Sequence, residues 1–353
     1  MIEAILHRLG PLVLFVLLVA GLNGCTTMSL DDIGDPSPKI PVKLVGEMAK
    51  KGMTPESPVL IRIFKQESEL EIWKQDRTGR YALLKVYPMC RWSGKLGPKT
   101  RTGDRQAPEG FYHVSTGMLN PKSQFYLSFN LGYPNRLEAA LNYTGEALMV
   151  HGACSSSGCY AMTDQGVGEI YALVHSALAG GQDKFQVQAY PFRMTVENMV
   201  ANRSDPNFAF WKNLKEGYDA FEFSKRQPKV AACNRRYVFN ADFDRDPTNP
   251  LAACPPLKQA IDPTLSAKVQ QEDQKLTALL DKDSPATVTA YADGGMHSSF
   301  RELLKQNGAD KLAQKISTIK YPISRPDAAL ADPYQGEPWK PALSRSEKDR
   351  DAD

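Results

Sequence analysis

A surplus of either charge is missing from this chain, and so is any long apolar run beyond its first few dozen residues. Lys and Arg number 43 against 40 Asp and Glu, a net charge of +3, which gives no electrostatic case for a nucleic-acid partner. Histidine is scarce, at five residues, and no two ligand pairs with zinc-site spacing recur along the chain. Internal repeats are absent as well, which excludes solenoids and propellers. What is present is ordinary globular material: 353 residues, 42% hydrophobic and 24% charged. That is enough to build a core in one large domain or two smaller ones.

The one apolar run lies at the start. After Arg8, the segment PLVLFVLLVAGL is uncharged from Pro11 to Leu22. It falls short of the roughly 20 residues a membrane-spanning helix needs and has the length of a secretory h-region. It ends in Leu22-Asn23-Gly24-Cys25, which resembles a bacterial lipobox, although Asn23 is larger and more polar than usual there. The expectation is a lipoprotein signal peptide over residues 1–24, with diacylglycerol on Cys25. Thr26 follows in place of an aspartate, which this resemblance associates with sorting to the outer membrane. An unprocessed anchor or an ordinary cleavable signal is the alternative. Either way the protein leaves the cytoplasm, and the expected location is the periplasmic side of a Gram-negative envelope.

Export changes the meaning of the cysteines, because the periplasm permits disulfides. Cys25 aside, Cys90, Cys154, Cys159, Cys233 and Cys254 remain. An odd number in an exported protein flags a free thiol.

Residues 25–55 are rich in Thr, Ser, Asp and Pro at first and read as a tether, with VKLVGEMAKKGM as a helix where folding begins. From residue 56 strand patterns dominate: VLIRIFKQ, LEIWKQD, YALLKVYPM, EGFYHVST, QFYLSFNLGYPN and ALMVHGAC. GVGEIYALVHSALAGG has helical spacing, and DKFQVQAYPFRMT returns as a strand. Residues 197–260 read as a largely helical completion, with VAACNRRYVFN as a last strand. Residues 261–353 carry two surface helices and then a Pro-, Asp-, Lys- and Ser-rich tail expected to be disordered.

The stretch that carries chemistry is HGACSSSGCYAMTD, residues 151–164. It admits three readings. His151, Cys154 and Cys159 form H-x2-C-x4-C, ligand types that zinc accepts. Alternatively, one cysteine is half of a disulfide and His151 is an ordinary strand-end residue; Cys154 suits this role, with Cys90 a possible partner and Cys233 with Cys254 the other pair, although four cysteines allow three connectivities. In the third reading Cys159 is a nucleophile. Gly158 permits a tight turn before it, the helix that follows could aim backbone N–H groups at it, and His151 could return across the small-residue loop to take its proton.

The segment resembles the active-site signature of YkuD-type L,D-transpeptidases, in which an apolar strand enters His-Gly and a later Ser-x-Gly-Cys carries the nucleophile. Upstream, Ala107-Pro108-Glu109-Gly110-Phe111-Tyr112 stands where that domain has Thr-Pro-x-Gly-x-Phe. SFNLGYPN, MVHGACSSSGCYAMTD, YPFRMT and FWKNLKEGYDAFE are similar to the YafK branch in particular, and the resemblance covers roughly residues 57–240, with several motifs in the right order. It implies an α+β fold: a strand-rich YkuD-like catalytic domain over 56–196 with helices packed around it and a helical, partly disordered C-terminal extension. It also implies a cysteine enzyme acting on peptidoglycan stem peptides at the L-centre of meso-diaminopimelate, with no metal or organic cofactor. Cys159 would be the nucleophile, His151 the general base and acid, and the Gly158 and Cys159 amides the oxyanion donors. Mainstream members have Ser-His-Gly-Cys and a second, upstream catalytic histidine. Here Ser157 precedes Gly158 and only His151 is at hand, which favours cutting over cross-linking: release of an outer-membrane protein linked to peptidoglycan. Transpeptidation, and non-catalytic binding of peptidoglycan by a disulfide-stapled lipoprotein, are the alternatives, with thiol redox chemistry of Cys154 and Cys159 ranked last.

Other residues carry weaker expectations. Arg193 could meet a substrate carboxylate or form an internal ion pair. Ser157 and Tyr160 flank the nucleophile as candidate substrate contacts. Lys99 and Arg101 could attract anionic stem peptides. His113, His175 and His297 read as polar or boundary positions, and Trp73, Trp92 and Trp211 as core or sugar-stacking residues.

Overall fold

A computed structural model describes residues 38–259, 262–281 and 291–330. The signal peptide, Cys25 and most of the expected tether lie outside the described residues, as does the chain from 331. The tail expected to be disordered from Pro322 is corrected over its first nine residues, where Ser324 is hydrogen-bonded to Ser156 and Pro326–Leu330 is helical. Helix α1 (Val42–Lys50) already buries Leu44 and Met48 in the main core, so the folded part begins inside the stretch expected to be tether.

Three antiparallel strands follow, β1 (Val59–Phe64), β2 (Glu69–Gln75) and β3 (Tyr81–Pro88). The short β4 (Arg91–Trp92) leads through a long loop to β5 (Gly110–Ser115), β6 (Leu119–Ser123) and β7 (Tyr126–Asn130). After a single turn of helix, α2 (Arg136–Ala140), come β8 (Met149–His151), β9 (Tyr160–Ala161), helix α3 (Asp164–Ala179) and β10 (Lys184–Tyr190). Two five-stranded sheets result, ordered β3-β2-β1-β10-β5 and β4-β9-β8-β7-β6. Each contains one parallel pair, β1 with β10 and β8 with β9.

The expected fold class, α+β, is the one observed. Helix α3 packs on β7 and β8 of one sheet and on β1 and β10 of the other, so Val167, Ile170, Leu173, Val174 and Ala177 are all buried. That double contact explains why its sequence is apolar beyond a single stripe. The opposite face of the first sheet is covered by α5 (Phe208–Ser224), reached through α4 (Val196–Ala201). There Leu60 and Trp73 meet Phe221, and the buried Arg62 guanidinium lies 4.4 Å from the Tyr218 ring centre. All six residues of β1 are consequently buried.

VAACNRRYVFN is a hairpin and not the single strand its composition suggested. β11 (Val230–Cys233) and β12 (Arg236–Phe239) pair antiparallel around Asn234 and Arg235. Both turn residues have positive φ, 51° and 63°, the geometry that matches strand twist in a two-residue loop. A second small ladder, β13 (Asp242–Phe243) with β14 (Leu257–Gln259), went unanticipated, and a disulfide between Cys233 and Cys254 ties the two regions together. Beyond lie α6 (Pro263–Leu280), α7 (Ser298–Ile316, kinked at Gly308) and α8 (Pro326–Leu330).

One buried ion pair holds the long β4–β5 loop to this frame. Lys65 and Glu109 are both fully buried and 2.8 Å apart. The ammonium also donates to the carbonyls of Gly97 and Ala107, while the carboxylate accepts from Gly97 N and from Trp211 Nε1 of α5. With its partner removed, the Lys65 charge has no counterion in a dry interior. Glu109→Ala is expected to cost about 3–5 kcal/mol of folding free energy, measured by urea denaturation, whereas replacing both partners with apolar residues recovers most of it.

Candidate active site

The parallel pairing of β8 and β9 sets the geometry. Val150 faces Tyr160 and His151 faces Ala161 in register. Side chains alternate along a strand and in-register neighbours share a face, so His151 and Cys159 project on one side while Val150 and Tyr160 project on the other. Tyr160 is fully buried and its hydroxyl donates to the Pro108 carbonyl. It anchors β9 from below, and the expectation that it lines the substrate site is corrected.

Between the two strands, residues 152–158 turn sharply. Ala153 and Cys154 both adopt positive φ, 63° and 45°, and Gly158 sits at +136°. Such backbone is costly for residues with a Cβ, and it is held by a disulfide: Cys154 is bonded to Cys90. Gly152 has no room for a side chain, since a Cβ there would lie 2.6 Å from Asp164 Oδ1 and 2.9 Å from the Phe125 carbonyl. With Cys154 bonded to Cys90 and Cys233 to Cys254, Cys159 is the free cysteine among the described residues. The metal reading loses Cys154 as a ligand, and the redox reading loses its partner thiol. No group of three or more His, Cys, Asp or Glu is placed to hold a metal among the described residues.

The thiol is partly exposed. Its sulfur accepts from Met149 N at 3.3 Å and lies 3.7 Å from the Ala147 carbonyl. Strand β9 intervenes between Cys159 and α3, whose first turn is capped by Thr163 Oγ1 accepting from Gly166 N. The N–H that reaches the sulfur therefore comes from the neighbouring strand and not from the helix terminus. Burial pushes the Cys159 thiol above its ordinary range, an effect opposed by the Met149 N–H and by the Lys99 ammonium.

His151 is buried, its ring tilted at 40° to that of Phe125 with the centroids 4.8 Å apart. Nδ1 lies 2.6 Å from the Gly152 carbonyl. A carbonyl can only accept, so Nδ1 carries the hydrogen and Nε2 keeps the lone pair. Burial lowers the imidazole to about 4, against a smaller upward pull from that carbonyl. The resting pair is thus a thiol and a neutral imidazole. No hydrogen bond joins them among the described residues.

The remaining candidates scatter. Gly158 N–H donates to Ser156 Oγ at 3.3 Å and so does not point toward the thiol as the oxyanion reading required. Ser157 is exposed, its hydroxyl accepting from Arg105 Nη1 at 3.1 Å. Arg193 takes the internal reading: it pairs with Glu69 and Glu71 near the start of β2 in the first sheet, and the structure does not bring it to Cys159. Lys99 is buried and bonded to Asp104 and the Arg101 carbonyl, acting on the thiol through its field. Trp73, Trp92 and Trp211 are core residues.

Sequence reasoning missed two organisers of the loop. Ser156 Oγ donates to the Cys159 carbonyl at 2.7 Å while receiving the Gly158 N–H, so one hydroxyl fixes the backbone on both sides of Cys159. Asp164 Oδ1 accepts from Ala153 N at 2.9 Å, closing the loop from its far end. Nothing in the Ser155-Ser156-Ser157 run distinguishes the middle serine. Asp164 reads as an ordinary first-turn acid.

No family model matches the chain. The protein named "Putative L,D-transpeptidase YafK" in Escherichia coli strain K12 is 45% identical over 197 residues, spanning 56% of this chain and 80% of that one. Its counterpart in Escherichia coli O157:H7 gives the same figures. Among solved structures, the helical cell shape determining protein Pgp2 of Campylobacter jejuni overlays with a TM-score of 0.32 at 14% identity, over 68% of this chain and 79% of that one. Bd1075 of Bdellovibrio bacteriovorus gives 0.29 at 15%, over 49% and 76%. Both scores are too low to carry an argument. Identity of 45% across four-fifths of the YafK chain is another matter, and on it this chain belongs to the YafK branch of the L,D-transpeptidase family.

Proposed function

We propose that the protein is a peptidoglycan L,D-endopeptidase that hydrolyses amides at the L-centre of meso-diaminopimelate and so releases an outer-membrane protein covalently attached there. The observation that carries this reading is the pair on one face of β8 and β9: a free, partly exposed thiol at Cys159 and an imidazole at His151 whose Nε2 lone pair is unprotonated. Membership of the YafK branch supports the substrate class.

In the proposed reaction the Cys159 sulfur attacks the amide carbonyl carbon as its proton passes to His151 Nε2. With the thiol raised and the imidazole lowered, that transfer is uphill at rest and proceeds as the S–C bond forms. The Cys159 amide is the proposed donor to the developing oxyanion. His151 gives its proton to the leaving amine as the C–N bond breaks, leaving a thioester. Water, deprotonated by His151, then attacks the thioester, and the thiol is regenerated with release of the acid. Neither metal nor organic cofactor enters. Hydrolysis is preferred to transfer because the chain offers one histidine where cross-linking members have two. The proposed location is the periplasm, with Cys25 lipidated in the outer membrane.

Mass spectrometry of sacculi treated with purified protein tests the reading. Wild type should release linked protein, and Cys159→Ala should release none. New diaminopimelate–diaminopimelate links would instead assign a transpeptidase, and identical products from both proteins would leave a binding role.

The resting protonation states give a second expectation. A thiol raised by burial is mostly protonated at pH 7, so alkylation of Cys159 by iodoacetamide should climb about tenfold per pH unit to beyond pH 8.5, the ordinary thiol value. With the imidazole at about 4, no step should appear between pH 5 and 7. A plateau reached below pH 7 would mean a thiolate–imidazolium pair and would overturn this picture of the site.

A further inference from the structure

The active-site loop cannot hold itself. Residues 152–158 are Gly, Ala, Cys and Ser alone, with three positive φ values and no large side chain to pack. What surrounds it comes from the far end of the chain. Gly295 pairs with Trp92 of β4 as an added bridge, and the buried Asp293 accepts from Gly94 N and from Arg105 Nη2, whose Nη1 in turn holds Ser157. Phe300, Leu304, Leu312 and Ile323 then enclose the Cys90–Cys154 disulfide in a second, separate apolar cluster.

From there residues 317–324 cross the reactive loop and are bonded to both of its organisers. Ser317 Oγ, Thr318 N and Thr318 Oγ1 all donate to Asp164 Oδ2, at 3.1, 2.6 and 2.7 Å; the other oxygen of that carboxylate holds Ala153. At the opposite end Ser324 Oγ accepts from Ser156 N at 3.0 Å and donates to Ser156 O at 2.8 Å. Between these staples the Tyr321 ring packs at a tilt against Phe125, centroids 4.5 Å apart, and Phe125 in turn packs at a tilt against His151. Tyr321 meets Phe125 and not the sulfur, and Cys159 stays partly exposed.

We infer that residues 291–330 are a strap that positions the catalytic pair, with Ser324 acting on Cys159 through Ser156 and Tyr321 acting on His151 through Phe125. The inference rests on the reading that Cys159 and His151 react, but it assigns new work to a segment that contributes no reacting atom. Its chemistry is plain: two hydrogen bonds fix the peptide whose hydroxyl grips the Cys159 carbonyl, and one ring fixes the wall against which the imidazole lies. A displacement of about 1 Å in such a pair costs on the order of 100-fold in rate.

The test uses full-length Ser324→Ala, Tyr321→Ala and Tyr321→Phe. Two readouts are taken well below each variant's melting temperature: release of protein from sacculi, and the pH profile of Cys159 alkylation. Both positions are half-buried, so truncation opens no deep cavity and folded protein is expected. A loosened loop exposes the thiol while misplacing it. Alkylation at pH 8 should therefore rise about 3-fold or more, as burial ceases to hold the thiol up, while release from sacculi falls about 10-fold or more. Tyr321→Phe, which keeps the ring, should match wild type on both. Unchanged alkylation and release in both alanine variants would overturn the inference. So would release that rises with alkylation, because the segment would then be a lid that blocks substrate. If wild type releases nothing from sacculi, the proposed function fails, and the alkylation profiles still decide whether the strap sets the environment of the thiol.

Discussion

The active site follows from a single constraint, the parallel register of β8 and β9. Parallel strands cannot be joined by a tight turn, yet this connection has only eight residues between His151 and Tyr160. Its geometry is paid in backbone conformation: left-handed residues at Ala153 and Cys154, a glycine at 152 with no space for a Cβ, and a disulfide that pins the turn to the residue just before β4. In exchange, two residues distant by eight in sequence come to one face of one sheet. The same register sends Tyr160 into the core, where its hydroxyl bond to Pro108 keeps Cys159 on the outward side.

Burial of that face decides the electrostatics. The buried imidazole beside Phe125 and the partly exposed thiol beside the Met149 and Ala147 backbone both favour their neutral forms, because withdrawal from water penalises whichever state is charged. Lys99 and the Met149 N–H offset part of the cost for the sulfur, and the Gly152 carbonyl offsets a smaller part for the ring. A carbonyl in place of a carboxylate behind His151 orients the tautomer without placing a negative charge beside it, so the imidazolium is less supported than in a Ser-His-Asp arrangement. On the proposed mechanism such a pair moves a proton only when a substrate carbonyl supplies the driving force, and stays uncharged until then.

Much of this was legible in the sequence, and the boundary is informative. The strands of the first sheet and helix α3 were marked by periodicity and apolar runs, since they line the main core, whereas the 230–239 hairpin, largely half-buried, read as one strand. The unpaired thiol followed from an odd cysteine count, and Cys159 over Cys154 from the glycine before it. Strands of two residues, such as β4 and β9, carry no periodic signal at all, and so the helix terminus was expected to serve the thiol when in fact β9 lies between. Tyr160 was misjudged for a related reason: proximity along the chain says nothing about which face a side chain takes until pairing partners are known, and the same lack left Arg193 open between a substrate contact and the internal ion pair it makes. Ser156 could not be separated from Ser155 and Ser157 because its surroundings include serine hydroxyls more than 60 residues away, at Ser93 and Ser324.

The C-terminal segment was the least legible part, and physics gives the reason. Its helices have a weak amphipathic pattern, because what they cover is a disulfide and a run of small residues, not a broad apolar sheet face. A loop of Gly, Ala and Ser offers little apolar area, and so little hydrophobic stabilisation, to anything that packs on it. The attachment is therefore made with polar groups in fixed positions: one carboxylate receiving four hydrogen bonds across its two oxygens, one serine bonded to both sides of a peptide, and one aspartate between three arginines. Directional contacts of this kind add modest net stability but specify geometry closely. That is what a loop with no core of its own requires, and it explains why the support comes from a few placed polar groups of a distant segment, Asp293, Ser317, Thr318 and Ser324, and not from the hydrophobic domain beneath.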